Sequence, residues 1–214
     1  TYAALVAGDA NGDEDIYIHN WDTGTVERAS VGTGGGDPDS YSYSPALSAD
    51  ASVVAFVSMA SDLSPDDNNL TVDVYLRELP GGPTTLVSAD AFDLTEPSRD
   101  SWNPAVSGNG RYVAFESAAG NLVPGDTGFI DVFVYDRQLD QTTLIPLGLW
   151  SDPAWGDSHL PDISDDGNRI VFQSSAWNIV DNDNNGQSDI FVYDRVSETF
   201  TRVSVDSAGN ESNR

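Results

Sequence analysis

The chain contains no cysteine and no lysine, and only 9 of its 214 residues are basic, all of them arginine. Without cysteine, a disulfide framework, a thiolate metal site and a cysteine nucleophile are all excluded. The 35 acidic residues give a formal net charge of −26. Such a charge excludes binding to nucleic acid or to an anionic membrane through a basic surface.

Long apolar runs are also missing, because none approaches the roughly 20 residues that a membrane-spanning helix needs. Residues 1–9 carry no basic residue, so we do not expect them to be the start of a signal peptide. We therefore expect a soluble piece from which any targeting segment has been removed. We expect it to work in the periplasm or outside the cell.

Glutamate is scarce among the acids, with 7 glutamates against 28 aspartates. Aspartate favours turns and caps, whereas glutamate favours helix interiors. The acids should therefore lie mostly in loops. With 39% hydrophobic residues, the chain is too apolar for a disordered acidic tail and should form a globular, loop-rich fold.

One segment recurs four times at a constant spacing of 58 residues, and each copy alternates apolar β-formers with other residues as a strand does. A PxxS segment, a four-residue turn and a VAFxS-like segment precede the last three copies, and a short strand follows every copy. The unit is thus four strands, A (PxxS), B (VAFxS), C (DxFVYD) and D (TxLVS). Such units in tandem predict an all-β fold of propeller blades. The four C segments begin at Asp15, Asp73, Asp131 and Asp189.

The motifs of the complete units agree with the pattern SPxxSxDGxxIAFxS followed by a loop and DIYVxD. The chain therefore resembles the TolB-like, WD40-like β-propeller repeat family over nearly its whole length. Asp50, Ala51 and Ser52 stand where the family has its Asp-Gly turn, so we expect an irregular hairpin there. The residues of the last unit that carry the match are Ser164, Asp166, Gly167, Ile170, Phe172, Ser174, Asp189, Phe191 and Asp194.

The blade count is about three and a half, because the chain opens with strands C and D and then has three complete units. We divide this single propeller segment, residues 1–214, into unit one (1–44, a half blade with its connecting loop), unit two (45–103), unit three (104–160) and unit four (161–214). Propellers usually have 4 to 8 blades, so the segment is expected to belong to a larger propeller. A rival interpretation is self-association, with a partner chain completing the open blade edge.

In such a blade the BC and DA connections share one face, which we call the long-loop face, and the AB and CD turns share the opposite, short-turn face. The long-loop face, with both termini and the first residue of each strand C, carries 23 of the 35 acids. Binding sites commonly lie in long loops on a rigid scaffold. Four tryptophans fall in the same loops and are candidate contacts for a protein or a glycan, namely Trp102, Trp150, Trp155 and Trp177.

The loop before the last strand C reads DNDNNGQSD and has the spacing of a calcium loop, because alternate oxygen side chains around a glycine turn can face one ion. Weaker versions precede the first two strands C. The third loop is one residue shorter and lacks the asparagine, so no site is expected there. The alternative for all four loops is a cluster of Asx turns. The candidate Ca²⁺ ligands are Asp181, Asp183, Asn185 and Asp189, then Asp9, Asn11, Asp13 and Asp15, and finally Asp67, Asn69 and Asp73.

No catalytic motif is present, and His19 and His159 lie far apart in the repeat. The sequence therefore favours a non-enzymatic, calcium-binding scaffold for protein or carbohydrate binding or for extracellular assembly. The alternative is the propeller of a glycosidase, or the non-catalytic propeller of a serine peptidase whose catalytic part is not among these residues. The acidity also fits a protein from a salt-loving source, in which molar monovalent salt would take the place of calcium.

Overall fold

A computed structural model describes residues 5–67, 69–89, 99–126, 128–149 and 153–211. The predicted all-β fold is confirmed, since these residues form fourteen strands and no α-helix. The strands are β1 (Tyr17–His19), β2 (Val26–Arg28), β3 (Ser42–Leu47), β4 (Val53–Ser58), β5 (Asp73–Glu78), β6 (Thr84–Leu86), β7 (Ser101–Val106), β8 (Tyr112–Ser117), β9 (Asp131–Asp136), β10 (Gln141–Ile145), β11 (Ser158–Ile163), β12 (Arg169–Ser174), β13 (Asp189–Asp194) and β14 (Thr199–Arg202).

Three antiparallel four-stranded sheets follow chain order, β3 to β6, β7 to β10 and β11 to β14, and β1 pairs with β2 alone. Each complete sheet is the predicted A, B, C, D unit. Strand A begins three residues before its PxxS motif, because its first serine pairs with the last serine of strand B. The two hydroxyls are 2.9–3.0 Å apart in all three sheets. Trp102 and His159 consequently lie in strands β7 and β11 and not in loops.

Strands A share a bulge in which Ser44, Asn103 and Leu160 have φ near +50°. A proline follows each of these residues and removes one backbone donor. The three pairs line one cleft of about 290 Å³. The innermost strands of neighbouring sheets therefore meet at this cleft.

The core lies in strands B and C, which are buried throughout in unit three and, in unit two, everywhere except at Arg77 and Glu78. In each complete unit an aromatic pair stacks across these two strands, with ring centroids 5.6–5.9 Å apart. Burying side chains of this size contributes about 1.5–3 kcal/mol each. The alternating pattern of the repeat thus builds the core directly. The pairs are Phe56 with Tyr75, Phe115 with Phe133, and Phe172 with Phe191.

Neighbouring units are joined on both faces by backbone hydrogen bonds. On the long-loop face, the first residue of each strand A donates to the BC loop of the preceding unit at 2.6–2.7 Å. On the short-turn face, Gly108 donates its backbone N–H to the carbonyl of Asp165 at 2.9 Å, and Asp50 donates to Gly108 at 3.1 Å. Each AB turn is therefore held by the next one.

The AB turn of unit two is regular, contrary to the expectation from its missing Asp-Gly. Ala51 donates to the carbonyl of Ser48 at 2.9 Å, as Gly110 and Gly167 do at the same place in the next units. To do so Ala51 adopts φ +53°, in the left-handed region that glycine enters at no cost. The turn survives because strands A and B dictate it, at the expense of strain at one alanine.

Candidate functional site

The four aspartates that precede or begin strand C are all buried at the edge of the long-loop face. Asp15, Asp73, Asp131 and Asp189 expose 5%, 0%, 1% and 1% of their surface. A buried carboxylate is costly unless donors or a positive charge compensate it. The four units can therefore be compared by the groups that compensate this buried carboxylate.

A serine two residues after the end of strand D is the common partner in three of the units. It donates its hydroxyl to the aspartate at 2.5–2.7 Å and accepts the backbone N–H of the next residue at 2.9–3.1 Å. The pairs are Ser30 with Asp15, Ser88 with Asp73, and Ser204 with Asp189.

Units one and four also place an arginine near the buried aspartate. The Nη1 atom of Arg28 lies 2.5 Å from Asp37 and 3.5 Å from Asp15. The pKa of Asp15 is raised by burial, while its bond from Ser30 and the charge of Arg28 oppose the rise.

Arg202 occupies the same register position in unit four, because both arginines pair with the third residue counted from the aspartate of strand C. Its Nη1 lies 3.5 Å from Asp183, 3.6 Å from Asp189 and 3.0 Å from Glu211. These arginines place a positive charge beside aspartates for which the loop spacing predicts Ca²⁺.

Unit two has Leu86 at the arginine position, and neutral donors surround its aspartate. Asn69 donates its amide to Asp73 at 3.2 Å, and the hydroxyl of Thr71 lies 3.3 Å away. Tyr75 donates to Asp67. Burial, only partly offset by the Ser88 hydroxyl and reinforced by the charge of Asp67, raises the pKa of Asp73 to about 6.

Unit three has Leu144 at the arginine position and Pro146 at the serine position. Neither oxygen of the Asp131 carboxylate has a hydrogen-bond partner. Burial and the charges of Asp126 and Asp157 raise its pKa from 3.8 to about 7. The unit with the poorest calcium spacing therefore has the least compensated carboxylate.

The loops before strand C contain the Asx turns that the sequence left as the alternative to calcium. The side-chain oxygens of Asn11, Asn69, Asp126 and Asn185 each accept the backbone N–H two residues further on, at 2.5–3.1 Å. Of the other predicted ligands, Asp9 accepts the Tyr17 hydroxyl, and Asp13 and Asp181 are partly or fully exposed. Across the described part of the chain, no group of three or more His, Asp or Glu side chains is arranged to hold a metal ion.

Two of the four candidate tryptophans form an exposed pair on the long-loop face. Trp155 and Trp177 meet edge to face with centroids 5.8 Å apart, and they expose 58% and 53% of their surfaces. The backbone N–H of Trp155 donates to Asn178 at 2.8 Å, which fixes one loop against the other. Trp102 is partly buried in β7, and Trp150 lies outside the described residues.

A polar cluster that the sequence analysis missed joins units three and four near the central cleft. Glu116 is buried in β8 and accepts bonds from Asn103, from the backbone of Leu160 at 3.0 Å and from His159, whose Nδ1 is 3.2 Å away. The available signal was a glutamate where the other units have Val57 and Gln173. Because these three contacts engage both of its oxygens, Glu116 ties the blades together and is poorly placed as a catalytic base.

Three solved structures share this arrangement of sheets. TolB from Acinetobacter baumannii matches with a TM-score of 0.52 at 17% identity over 92% of this chain. The fold is that of a TolB-like β-propeller. A structure from a study of two prolyl endopeptidases matches with a TM-score of 0.53 at 14% identity over 92% of the chain. The tricorn protease matches with a TM-score of 0.52 at 13% identity over 83% of the chain.

This TolB-like propeller spans only 38% of the TolB chain, 27% of the prolyl endopeptidase chain and 15% of the tricorn chain. No protein-family model and no curated protein matches the sequence. The described residues include no helix both long enough and apolar enough to cross a membrane.

Proposed function

We propose that the chain is a non-enzymatic β-propeller scaffold that binds a partner protein through its long-loop face, in the periplasm or outside the cell. The observation that carries the proposal is the exposed Trp155–Trp177 pair on a face that also carries most of the acids. Tryptophan is prominent among the residues that dominate binding energy. Acidic surroundings favour a partner with a basic surface and accelerate its association.

Hydrogen bonds join neighbouring loops at several places on the long-loop face, which favours binding by a preorganised surface. Ser61 donates its backbone N–H and its hydroxyl to Asp39 at 2.8 and 2.6 Å, which joins the BC loop of unit two to the preceding DA loop. Asp157 accepts the N–H of Ile130 at 3.0 Å and joins the BC loop of unit three to the DA loop that carries Trp155. A surface that is already ordered loses less entropy on binding.

The test titrates the protein with a peptide of alternating arginine and tyrosine and with its glutamate–tyrosine counterpart, both in chelator. We expect binding of the basic peptide alone, weakened by salt. W155A and W177A should each weaken binding at least tenfold. The matched control is W21A, because Trp21 exposes 88% of its surface in the CD turn of the opposite face and should be dispensable. Equal losses in all three variants, or equal binding of the acidic peptide, would refute the proposed face.

A carbohydrate is the second candidate ligand, since exposed indole rings of this kind can also stack on sugars. Titration with cello- and chito-oligosaccharides separates the two, because sugar binding should be insensitive to salt while still depending on Trp155 and Trp177. The enzymatic alternative is a propeller that assists a hydrolase, as the two peptidase likenesses suggest by fold only. Turnover of a peptide or glycoside substrate by the purified chain would favour it.

Calcium is the remaining element of the proposal: we propose that Ca²⁺ stabilises the acidic face. Extracellular modules bind Ca²⁺ with Kd values of about 10⁻⁴–10⁻³ M, which suits the proposed location. Arg28 and Arg202 already neutralise the loops of units one and four, so an ion there would have to compete with a guanidinium. Units two and three have no such competitor at the equivalent position.

A further inference from the structure

Asp131 lacks every compensating group that the equivalent aspartates have. The serine is replaced by Pro146, the arginine by Leu144, and the shortened loop has no counterpart of Asn69 or Asn185. Asp131 exposes only 1% of its surface, and neither of its carboxylate oxygens has a hydrogen-bond partner. Buried carboxylates without partners are rare because their desolvation is not repaid.

Two further carboxylates surround this position. Asp157 reaches the residue before Asp131, where it accepts the backbone N–H of Ile130 at 3.0 Å. Asp126 accepts the N–H of Gly128 at 3.1 Å in the loop that leads into β9. Both are close enough for their charges to raise the pKa of Asp131. The loops on both sides of Asp131 therefore each bring a further carboxylate near it.

We propose that Asp131, with Asp126 and Asp157, forms a Ca²⁺ site between the BC loop and the DA loop of unit three. The ion does in this unit what Arg28 and Arg202 do in units one and four. Hard carboxylate oxygens are the ligands that Ca²⁺ takes, and a position this buried admits a bare ion more readily than an organic cation.

This location differs from the one that the loop spacing predicts, because the loop of unit three has the least calcium-like sequence of the four. Because the described residues contain no ready-made cluster of three such side chains, binding must draw Asp126 and Asp157 toward Asp131. The proposal specifies where the calcium effect of the proposed function arises, and it is independent of the partner.

The experiment measures Ca²⁺ binding by calorimetry and melting of the whole chain in chelator and in excess Ca²⁺. The wild type should bind one ion at this site, and at 100 times Kd its Tm should rise by about 5–10 °C. D131N should lose both effects while keeping a Tm in chelator no lower than the wild type, because the buried charge is gone. D183N is the matched control from unit four and should keep the full response to Ca²⁺.

A response that survives in D131N but disappears in D183N would overturn the proposal in favour of the loop with calcium-like spacing. Absence of Ca²⁺ binding to the wild type would overturn it together with the calcium element of the proposed function. In that case the peptide titration in chelator still decides partner binding separately. Melting in molar NaCl without Ca²⁺ is the last control, and an equal gain in wild type and D131N would assign that gain to screening.

Discussion

The two faces of the propeller differ in how closely the units repeat one another. On the short-turn face, every AB turn has the same two backbone hydrogen bonds, even where alanine replaces glycine. On the long-loop face, the same buried aspartate has an arginine and a serine in units one and four, neutral donors in unit two and no partner in unit three. The backbone geometry of the AB turns is thus the same in every unit, whereas the groups that compensate the buried aspartate differ from unit to unit.

The largest expected effect comes from removing a built-in cation. Arg202→Leu leaves Asp183 and Asp189 buried without their positive partner, and breaking a buried pair in this way costs about 3–5 kcal/mol. Urea unfolding should show this loss. The control is Arg169→Leu, since Arg169 is an exposed arginine of the same unit that lies 3.6 Å from Asp194 and should cost at most about 1 kcal/mol. Similar costs for the two variants would contradict the role assigned to Arg202.

The next effect is a pH dependence in chelator. The pKa values of Asp73 and Asp131 are raised to about 6 and about 7 by burial. The folded state then holds protons that the unfolded state has lost, so the unfolding free energy should fall as pH rises from about 4 to about 7. In D131N the upper part of this fall should be missing. A stability that rises with pH through this window would show that these carboxylates are better compensated than their contacts indicate.

A smaller loss is expected on removing a neutral donor. Ser88→Ala deprives Asp73 of its hydroxyl at 2.7 Å, and an unsatisfied buried acceptor costs about 1–3 kcal/mol. Ser204→Ala should cost less, because Arg202 remains beside Asp189, whereas unit two has Leu86 at that position. Denaturant melts of the two variants compare them directly, and a greater loss for Ser204→Ala would reverse the expected order.

The smallest effect is a gain on the short-turn face. Ala51→Gly relieves the left-handed φ of +53° and should stabilise the protein by about 1 kcal/mol, less the extra entropy of glycine in the unfolded chain. Ala55→Gly in the neighbouring strand is a control in which the same substitution should destabilise, because Ala55 is fully buried in β4. A loss of stability on Ala51→Gly would mean that strain there is negligible.

The sequence predicted the all-β fold, the four-strand unit and the positions of strands B, C and D, because alternation and a constant period report directly on strands. It placed the start of strand A late, since Ser42, Ser101 and Ser158 are polar and buried only by pairing with other serines. It also missed the cation in units one and four. A signal existed in the residue that lies 13 positions after the buried aspartate of each unit. It is arginine at 28 and 202 and leucine at 86 and 144.

Calcium-like spacing could not reveal which loop lacks compensation, because the arginine lies on strand D and the serine lies just after it. Asp131 is distinguished by Pro146, fifteen residues away, and not by its own loop. Whether a carboxylate needs an ion depends on what folding brings opposite to it. Predicting an ion site in such a loop therefore requires both the loop motif and the residues that the neighbouring strand places beside it.

The bulged prolines of the innermost strands have a consequence for solubility. An inner strand ends its sheet, and a regular edge of that kind invites pairing with another chain. Pro45, Pro104 and Pro161 each remove a donor from this edge, and the left-handed residue before each one bends it out of register. A foreign strand would find no continuous ladder to extend, so the inner edges of these three sheets are protected against templated aggregation by their backbone as well as by the charge of the protein.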